Sequence, residues 1–212
     1  MRKPFAEIYF AKIDPLKDEA LYQRLYESLP AQRKEKVDRI VEPDDKMRSI
    51  AVYCLLRKAF SRHKIALDKH PWSYESYQKP FLEDCSIHFN HSHSGDYVIC
   101  VLSDDVCGVD VEQIKNRNDS AMRFLSEKDQ AFISSSSAPL YAFYRIWTFK
   151  ESYTKAVGFG ITKPFSEFDI DLEQNSIGEY RLFDIPIARD YLAAAALKTK
   201  AGLSSIEEVK LE

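Results

Sequence analysis

Apolar positions along the chain repeat with two different periods, which predicts a mixture of strands and amphipathic helices. The run YVICVL at 97–102 is apolar at every position, which is typical of a strand covered on both faces. Four-residue and three-residue apolar spacing elsewhere indicates helices, the longest in the first half beginning at Asp44 or Asp45. Further strands are predicted at 5–13, 87–90, 168–172, 180–183, 191–198 and 206–211, and helices at 16–29, 33–39, 119–125, 126–133 and 140–157.

The two halves of the chain resemble each other. Asp96-Tyr97 is followed by VICVLSDD, and Asp190-Tyr191 is followed by LAAAALKT. Each half runs strand, helices, long helix, strand, strand, so we interpret the alanine run as a strand although its propensity favours a helix. The pattern predicts two similarly built lobes with a site between them, because pockets favour domain interfaces.

The stretch 107–112, CGVDVE, alternates apolar and acidic side chains. In a strand, Asp110 and Glu112 lie on one face, while Val109 and Val111 point toward a core. Two carboxylates about 7 Å apart suit a hard cation such as magnesium. A strand with an ordinary polar outer face has the same pattern.

In the long helix at 140–157, Trp147, Glu151 and Lys155 recur every four residues and share one face. The simplest interpretation is a surface ion pair worth about 0.3–0.5 kcal/mol. If that face looks toward Asp110 and Glu112, the site holds three carboxylates and a lysine. Such a set would bind a magnesium pyrophosphate.

Two polar segments are candidates for binding phosphate. The stretch 90–95, NHSHSG, would offer hydroxyls, imidazole and backbone N–H groups at a turn, although a hydrogen-bonded turn is an equally good interpretation. A basic helix face is the other candidate, although such faces are usually only solvated. Its residues are Arg33, Lys36, Arg39 and Arg48.

Composition excludes several classes of protein. The formal net charge of -3 does not suggest nucleic acid binding, and no apolar run is long enough to span a membrane. The four cysteines lack paired spacing and are expected to be reduced. The histidines have no zinc-binding arrangement. We expect a cytoplasmic monomer that binds neither nucleic acid nor membranes.

Three strings in order resemble the motifs of 4'-phosphopantetheinyl transferases, of the longer single-chain type that activates surfactin synthetase. They are FNHSHSG, GVDVE and WTFKESYTKAVGFGI, and the resemblance extends to LPAQRKEKVDRI, YQKPF and RFLSEKD. It implies an α+β fold of two similar lobes related by a pseudo-twofold, each a small antiparallel sheet packed on a long helix. We place these lobes at 1–104 and 105–212.

The resemblance implies transfer of 4'-phosphopantetheine from coenzyme A to a serine of an apo acyl or peptidyl carrier protein, releasing 3',5'-ADP. Asp110, Glu112 and Glu151 match the family's magnesium ligands, with manganese as an alternative ion. Glu151 is also the expected base for the serine proton, and Lys155 the cation at the leaving group.

Coenzyme A and the carrier protein have expected contacts too. By this resemblance Arg33, Lys36 and Ser49 fall near the positions that hold the 3'-phosphate. The Lys-Pro pair matches the adenine side, and the Ser-His pair matches the phosphate contacts. Gln78 stands where the family usually has glycine, and His91 at a usually aliphatic position. The expected coenzyme A contacts are Arg33, Lys36, Ser49, Lys79, Pro80, Ser92, His93 and Lys155. The expected carrier contacts, after GVDVE, are Arg117, Met122, Arg123 and Phe124.

The residues by themselves leave two other functions open. One is a coenzyme A or carrier-binding protein without catalysis. The other is a magnesium-dependent phosphohydrolase, which would turn over coenzyme A with no carrier present. The joint presence of Asp110, Glu112, Glu151 and Lys155 favours the transferase, because a binding protein needs no base.

Overall fold

Two four-stranded sheets and two long helices form the framework of the structure, a computed structural model that describes residues 4–75, 79–115, 119–159, 164–198 and 202–211. The strands are β1 Ala6–Lys12, β2 Trp72–Tyr74, β3 Pro80–Leu82, β4 His88–Ser94, β5 Tyr97–Ser103, β6 Cys107–Gln113, β7 Ser176–Ile177, β8 Tyr180–Ile185, β9 Tyr191–Leu197 and β10 Ser205–Glu208. The α-helices are α1 Glu19–Glu27, α2 Ala31–Asp38, α3 Pro43–Arg62, α4 Glu127–Ser135 and α5 Pro139–Val157.

The strand order confirms the predicted repeat. The first sheet runs β10-β1-β5-β4 and the second β6-β9-β8-β7, so β1-β5-β4 corresponds to β6-β9-β8. The same backbone hydrogen bond recurs in both lobes: Ile13 N donates to Asp96 O at 2.9 Å, and Ile114 N to Asp190 O at 2.8 Å. The fold is α+β with two similar lobes.

The elements stack in four layers, with α3 on the first sheet, the two sheets face to face, and α5 on the second sheet. The alanine run in β9 forms a strand because its small side chains fit between two covering layers. Ala193 and Ala195 face the first sheet, while Ala194 and Ala196 face α5. This confirms the strand at 191–198 over the helix that propensity favours.

The last strand, β10, returns to the first sheet. It pairs in parallel with β1, whose other neighbour, β5, is antiparallel. The first sheet therefore contains one parallel pair, and a strand from the end of the chain completes the lobe formed by its beginning.

A buried lysine ties α5 to the segment that follows it. Lys150 is fully buried, forms an ion pair with Asp129 at 2.6 Å and donates to the carbonyls of Phe165 and Phe168, each at 2.6 Å. Because its partners are one carboxylate and two carbonyls, the buried ammonium is well satisfied. Lys150 thus connects α4, α5 and the 165–168 turn.

Three local predictions are wrong. Helix α3 begins at Pro43, with Glu42 at the N-cap position, and not at Asp44 or Asp45. The strand expected at 168–172 does not form, because Lys150 occupies the Phe168 carbonyl and Asp171 closes a turn through a single bridge to Ser176. The turn expected at 90–95 is confined to its end, because 90–94 continue strand β4 alongside β5.

Local chemistry elsewhere agrees with the sequence. Ser126 and Asp129 form the predicted capping box at the start of α4, and Gly158 ends α5 in the left-handed conformation. Among the described residues, no helix is both long and apolar enough to cross a bilayer.

Candidate active site

Strand β6 presents its acidic side chains as the alternation predicts. Val109 and Val111 lie in the core between the sheets, while Gly108, Asp110 and Glu112 lie on the other face. A Cβ on Gly108 would meet backbone atoms of α5, so strand and helix are in direct backbone contact there. The carboxylates are therefore presented beside α5.

The edge strands β4 and β6 meet through side chains of alternate β4 residues. The Asn90 amide oxygen accepts from Val109 N at 3.0 Å. Ser92 Oγ donates to Asp110 Oδ1, and Ser94 Oγ to Glu112 Oε2, each at 2.9 Å. These contacts join the lobes and orient both carboxylates.

Lys155 lies at this contact between β4 and β6, which is called the seam below. Its Nζ is 2.5 Å from Asp110 Oδ1 and donates to Ser92 Oγ at 2.9 Å. The ion pair is with buried Asp110, so the lysine face of α5 looks toward β6 rather than only toward solvent. The alternative of a simple surface pair with Glu151 does not describe this lysine.

The carboxylates influence one another. Burial, then repulsion from Asp110, raises the pKa of Glu112 to about 7. Burial and the same neighbour raise the pKa of Glu151, while Lys155 opposes that shift. The three acidic groups therefore lie within electrostatic range of each other.

The negative charge of Asp110, Glu112 and Glu151, the acidic cluster, suits a divalent cation. Asp110 Oδ2 is buried without a hydrogen-bond partner, and a cation would relieve its repulsion with Glu112 and Glu151. Within the described ranges, however, no three His, Cys, Asp or Glu side chains are grouped closely enough to hold a metal. The ligand set of Asp110, Glu112 and Glu151 stays a prediction.

A basic cavity of about 340 Å³ lies beside the seam. The Arg33 guanidinium lies over the rings of Tyr53 and Trp72, 5.1 and 5.4 Å from their centroids, and its buried Nε has no hydrogen-bond partner. An anion would satisfy that donor. Four predicted coenzyme A contacts share this cavity: Arg33, Lys36, Ser49 and His93.

His91 lines the same cavity, and sequence reasoning found no specific role for it. Its Nδ1 is buried without a partner. Burial, with the positive charges of Arg33 and Lys155, lowers the pKa of His91 to about 3. The imidazole is therefore neutral at physiological pH.

The buried, neutral His91 should make the stability of the fold sensitive to acid. The unfolded chain binds a proton below the ordinary histidine pKa of 6.5, whereas folded His91 stays neutral down to about pH 3. Stability is therefore lost as pH falls through this window, by at most about 1.4 kcal/mol per pH unit from this group. His91→Leu should flatten the dependence, measured by urea denaturation between pH 7 and 5. His88→Leu, an exposed histidine of the same strand, is the control, and an unchanged slope in His91→Leu would contradict the assignment.

Several of the remaining predicted residues lie within the described ranges. Lys79 reaches from the start of β3 to the carbonyl of Ala156, and Pro80 is the first residue of β3. Met122 and Arg123 are part of a 3-10 turn at Asp119–Phe124, where Arg123 lies over the ring of the exposed Phe124. Arg117 and Gln78 lie outside the described residues.

Sequence reasoning missed the roles of three residues of the site. Asn90 and Ser94 were grouped with a turn, although the alternation at 90, 92 and 94 is the signal of one strand face. Gly108 was not singled out, because close packing against a helix leaves no local pattern. All three lie where the lobes or layers meet.

Fold and site together define a two-lobed protein with an acidic cluster and a lysine at the seam and a basic cavity beside it. The family model described as the 4'-phosphopantetheinyl transferase superfamily matches residues 106–201, and the one described as 4'-phosphopantetheinyl transferase, N-terminal, matches residues 14–104.

Similar proteins agree with both matches. The chain is 30% identical to the 4'-phosphopantetheinyl transferase gsp of Aneurinibacillus migulanus over 82% of this chain and 75% of that protein. It is 31% identical to the 4'-phosphopantetheinyl transferase Sfp of Bacillus subtilis (strain 168), over 72% and 70%. It is also 31% identical to the 4'-phosphopantetheinyl transferase ffp of Bacillus subtilis, over 80% and 78%. The chain belongs to the 4'-phosphopantetheinyl transferase family and is a transferase, which confirms the resemblance found in the sequence.

Proposed function

We propose that this enzyme transfers 4'-phosphopantetheine from coenzyme A to a serine of an apo acyl or peptidyl carrier protein and releases 3',5'-ADP. The observation that carries the proposal is the seam itself. Asp110, Ser92 and Lys155 are hydrogen-bonded there, Glu112 and Glu151 lie within electrostatic range, and a basic cavity adjoins them. Family membership supports the reaction class.

In the proposed reaction, the serine hydroxyl attacks the phosphorus that carries pantetheine. The bond between that phosphorus and the oxygen bridging the two phosphates breaks, and 3',5'-ADP leaves with that oxygen. Glu151 takes the serine proton, and because burial and Asp110 raise its pKa, it is a stronger base than an ordinary glutamate. Lys155, held by Asp110 and Ser92, stabilises the charge on the leaving group.

Asp110, Glu112 and Glu151 would hold magnesium, or manganese, which when bound would neutralise charge on the diphosphate. Ser92 and Ser94 keep two of these carboxylates in place through their hydroxyl groups. Orientation of such groups by neighbouring hydrogen bonds matters because it reduces the rearrangement needed on binding.

The lobes divide the task in this proposal. Lobe 1–104 contributes Arg33, Lys36, Ser49 and His93 to the cavity that would take the 3'-phosphate, with Lys79-Pro80 on the adenine side. Lobe 105–212 contributes the acidic cluster, helix α5 and the carrier contacts. The substrate would therefore lie across the seam.

One experiment separates this function from its alternatives. The protein is incubated with coenzyme A, magnesium and an apo carrier protein, and the carrier is weighed by mass spectrometry. A gain of one phosphopantetheine group supports the transferase. Turnover of coenzyme A without a carrier would instead identify a phosphohydrolase, and tight binding with no mass gain on acyl or peptidyl carriers would identify a binding protein.

Carrier docking gives a separate prediction. Arg123 and the exposed Phe124 form a basic and apolar surface in the second lobe, which suits an acidic carrier protein. Arg123→Glu should raise the KM for the carrier about tenfold, because it places like charges together, and should leave the coenzyme A Kd unchanged. Steady-state kinetics and calorimetry measure the two quantities.

Arg24→Glu makes the same charge change on exposed α1 of the first lobe and is the matched control. Equal losses of carrier modification and coenzyme A binding in Arg123→Glu would exclude this docking surface.

A further inference from the structure

We propose that the side chain of Lys79 is a positioning residue that fixes helix α5 against strand β6 from across the lobe boundary. The Lys79 ammonium donates to Ala156 O at 2.6 Å and to Cys107 O at 3.4 Å. Ala156 directly follows Lys155 on α5, and Cys107 lies three residues before Asp110 on β6. One side chain therefore contacts both elements that carry the acidic cluster and its lysine.

The contact is well placed to hold the end of α5. Carbonyl groups in the last turn of a helix lack intrahelical partners, and a cation is favoured near them. Lys79 supplies that cation to Ala156, beside the left-handed Gly158, where an added Cβ would lie 3.6 Å from Lys79 Cδ. The stem of Lys79 therefore runs closely past the end of the helix.

The environment of Lys79 agrees with a fixed rather than a solvated side chain. Burial is the main cause that lowers the pKa of Lys79, with Glu75 acting in the opposite direction. A partly buried ammonium that contacts two carbonyls has little freedom to move. Its own hydrogen bonds thus hold it at α5 and β6.

This role differs from a contact between the ammonium and coenzyme A. The Lys79-Pro80 backbone can face the nucleotide while the side chain acts on the opposite lobe. Loss of the ammonium would then shift Glu151 and Lys155 relative to Asp110 without removing a substrate contact. The inference rests on the proposed function for its kinetic test.

The test is Lys79→Met, which keeps the apolar stem and removes the charge. We expect kcat for carrier modification to fall about 10- to 100-fold, because small displacements of reacting groups have effects of this size. The calorimetric Kd for coenzyme A should stay within about threefold of the wild-type value. Both are measured well below the unfolding temperature of each variant.

Lys58→Met is the matched control, because Lys58 also donates to a backbone carbonyl, that of Lys210, away from the site. It should change neither quantity. Weaker coenzyme A binding with unchanged kcat in Lys79→Met would assign the ammonium to the nucleotide and overturn the proposal. Parallel losses in both quantities, or no change in either, would overturn it as well.

Hydrogen exchange decides the question even if the wild-type protein modifies no carrier. Amides at 154–158 should exchange faster in Lys79→Met than in the wild type or in Lys58→Met, because the last turn of α5 loses its tether. Unchanged exchange would exclude a positioning role. If the wild-type protein modifies no carrier but exchange at 154–158 is still faster in Lys79→Met, the positioning role of Lys79 is supported. Only the proposed reaction is then refuted.

Discussion

Glu151→Gln is expected to lower the rate of carrier modification by about 10²- to 10⁴-fold while coenzyme A still binds. Glutamine has nearly the same size as glutamate but cannot take the serine proton. Glu151 lies one helical turn before Lys155, and its pKa is raised by burial and by Asp110. The measurements are the rate of mass gain on the carrier and the calorimetric Kd for coenzyme A.

A metal ligand and a base can be distinguished for Glu151. If the loss came only from weaker metal binding, about tenfold more magnesium should restore much of the rate, since the site would fill by mass action. Loss of the base would persist at every magnesium concentration. Glu173→Gln, an exposed glutamate of the same lobe, is the matched control. More than about a tenth of wild-type activity in Glu151→Gln would refute its role as the base.

Gly108→Ala should destabilise the fold by about 3 kcal/mol or more, at the upper end of overpacking effects. The new Cβ would lie 2.1 Å from Ser152 O and 2.4 Å from Ala156 N. Both are backbone atoms of α5, so no side-chain rotation relieves the contact. The helix would have to move away from β6, and Glu151 and Lys155 would move with it. Urea denaturation measures the loss of stability.

Activity of the folded Gly108→Ala protein should also fall, because displaced reacting groups can reduce rates by about 10². Gly178→Ala is the control, since its Cβ meets no atom within 4 Å and only its φ of +56° is unfavourable. This backbone strain costs about 1–2 kcal/mol. Gly178 is also far from the seam. Equal destabilisation by the two substitutions, or full activity in Gly108→Ala, would show that the contact between β6 and α5 is unimportant.

Tyr97 and Tyr191 illustrate how an internal repeat in the sequence becomes a tertiary contact. They occupy equivalent positions in the two lobes, at the starts of β5 and β9, and their rings pack edge to face with centroids 4.7 Å apart. Asp96 N also donates to Tyr191 Oη at 2.9 Å. The repeat predicted similar lobes, but only their packing brings these two tyrosines together.

The sequence alone determined those features that depend on residues near one another in the chain. Alternation placed Asp110 and Glu112 on the strand face opposite Val109, helical spacing placed Glu151 and Lys155 on one face of α5, and the repeat indicated two lobes. Periodicity works here because side-chain direction follows directly from backbone geometry. The family motifs then indicated the chemistry.

Only the tertiary structure decided which distant groups meet. Ser94 orients Glu112, and Lys79 reaches Ala156, although neither pair is close in sequence. Lys150 takes the Phe168 carbonyl that a strand would have used, so that segment forms a turn despite its alternating pattern. Such outcomes depend on how the layers and lobes pack, because burial leaves each polar group needing a partner wherever the fold supplies one.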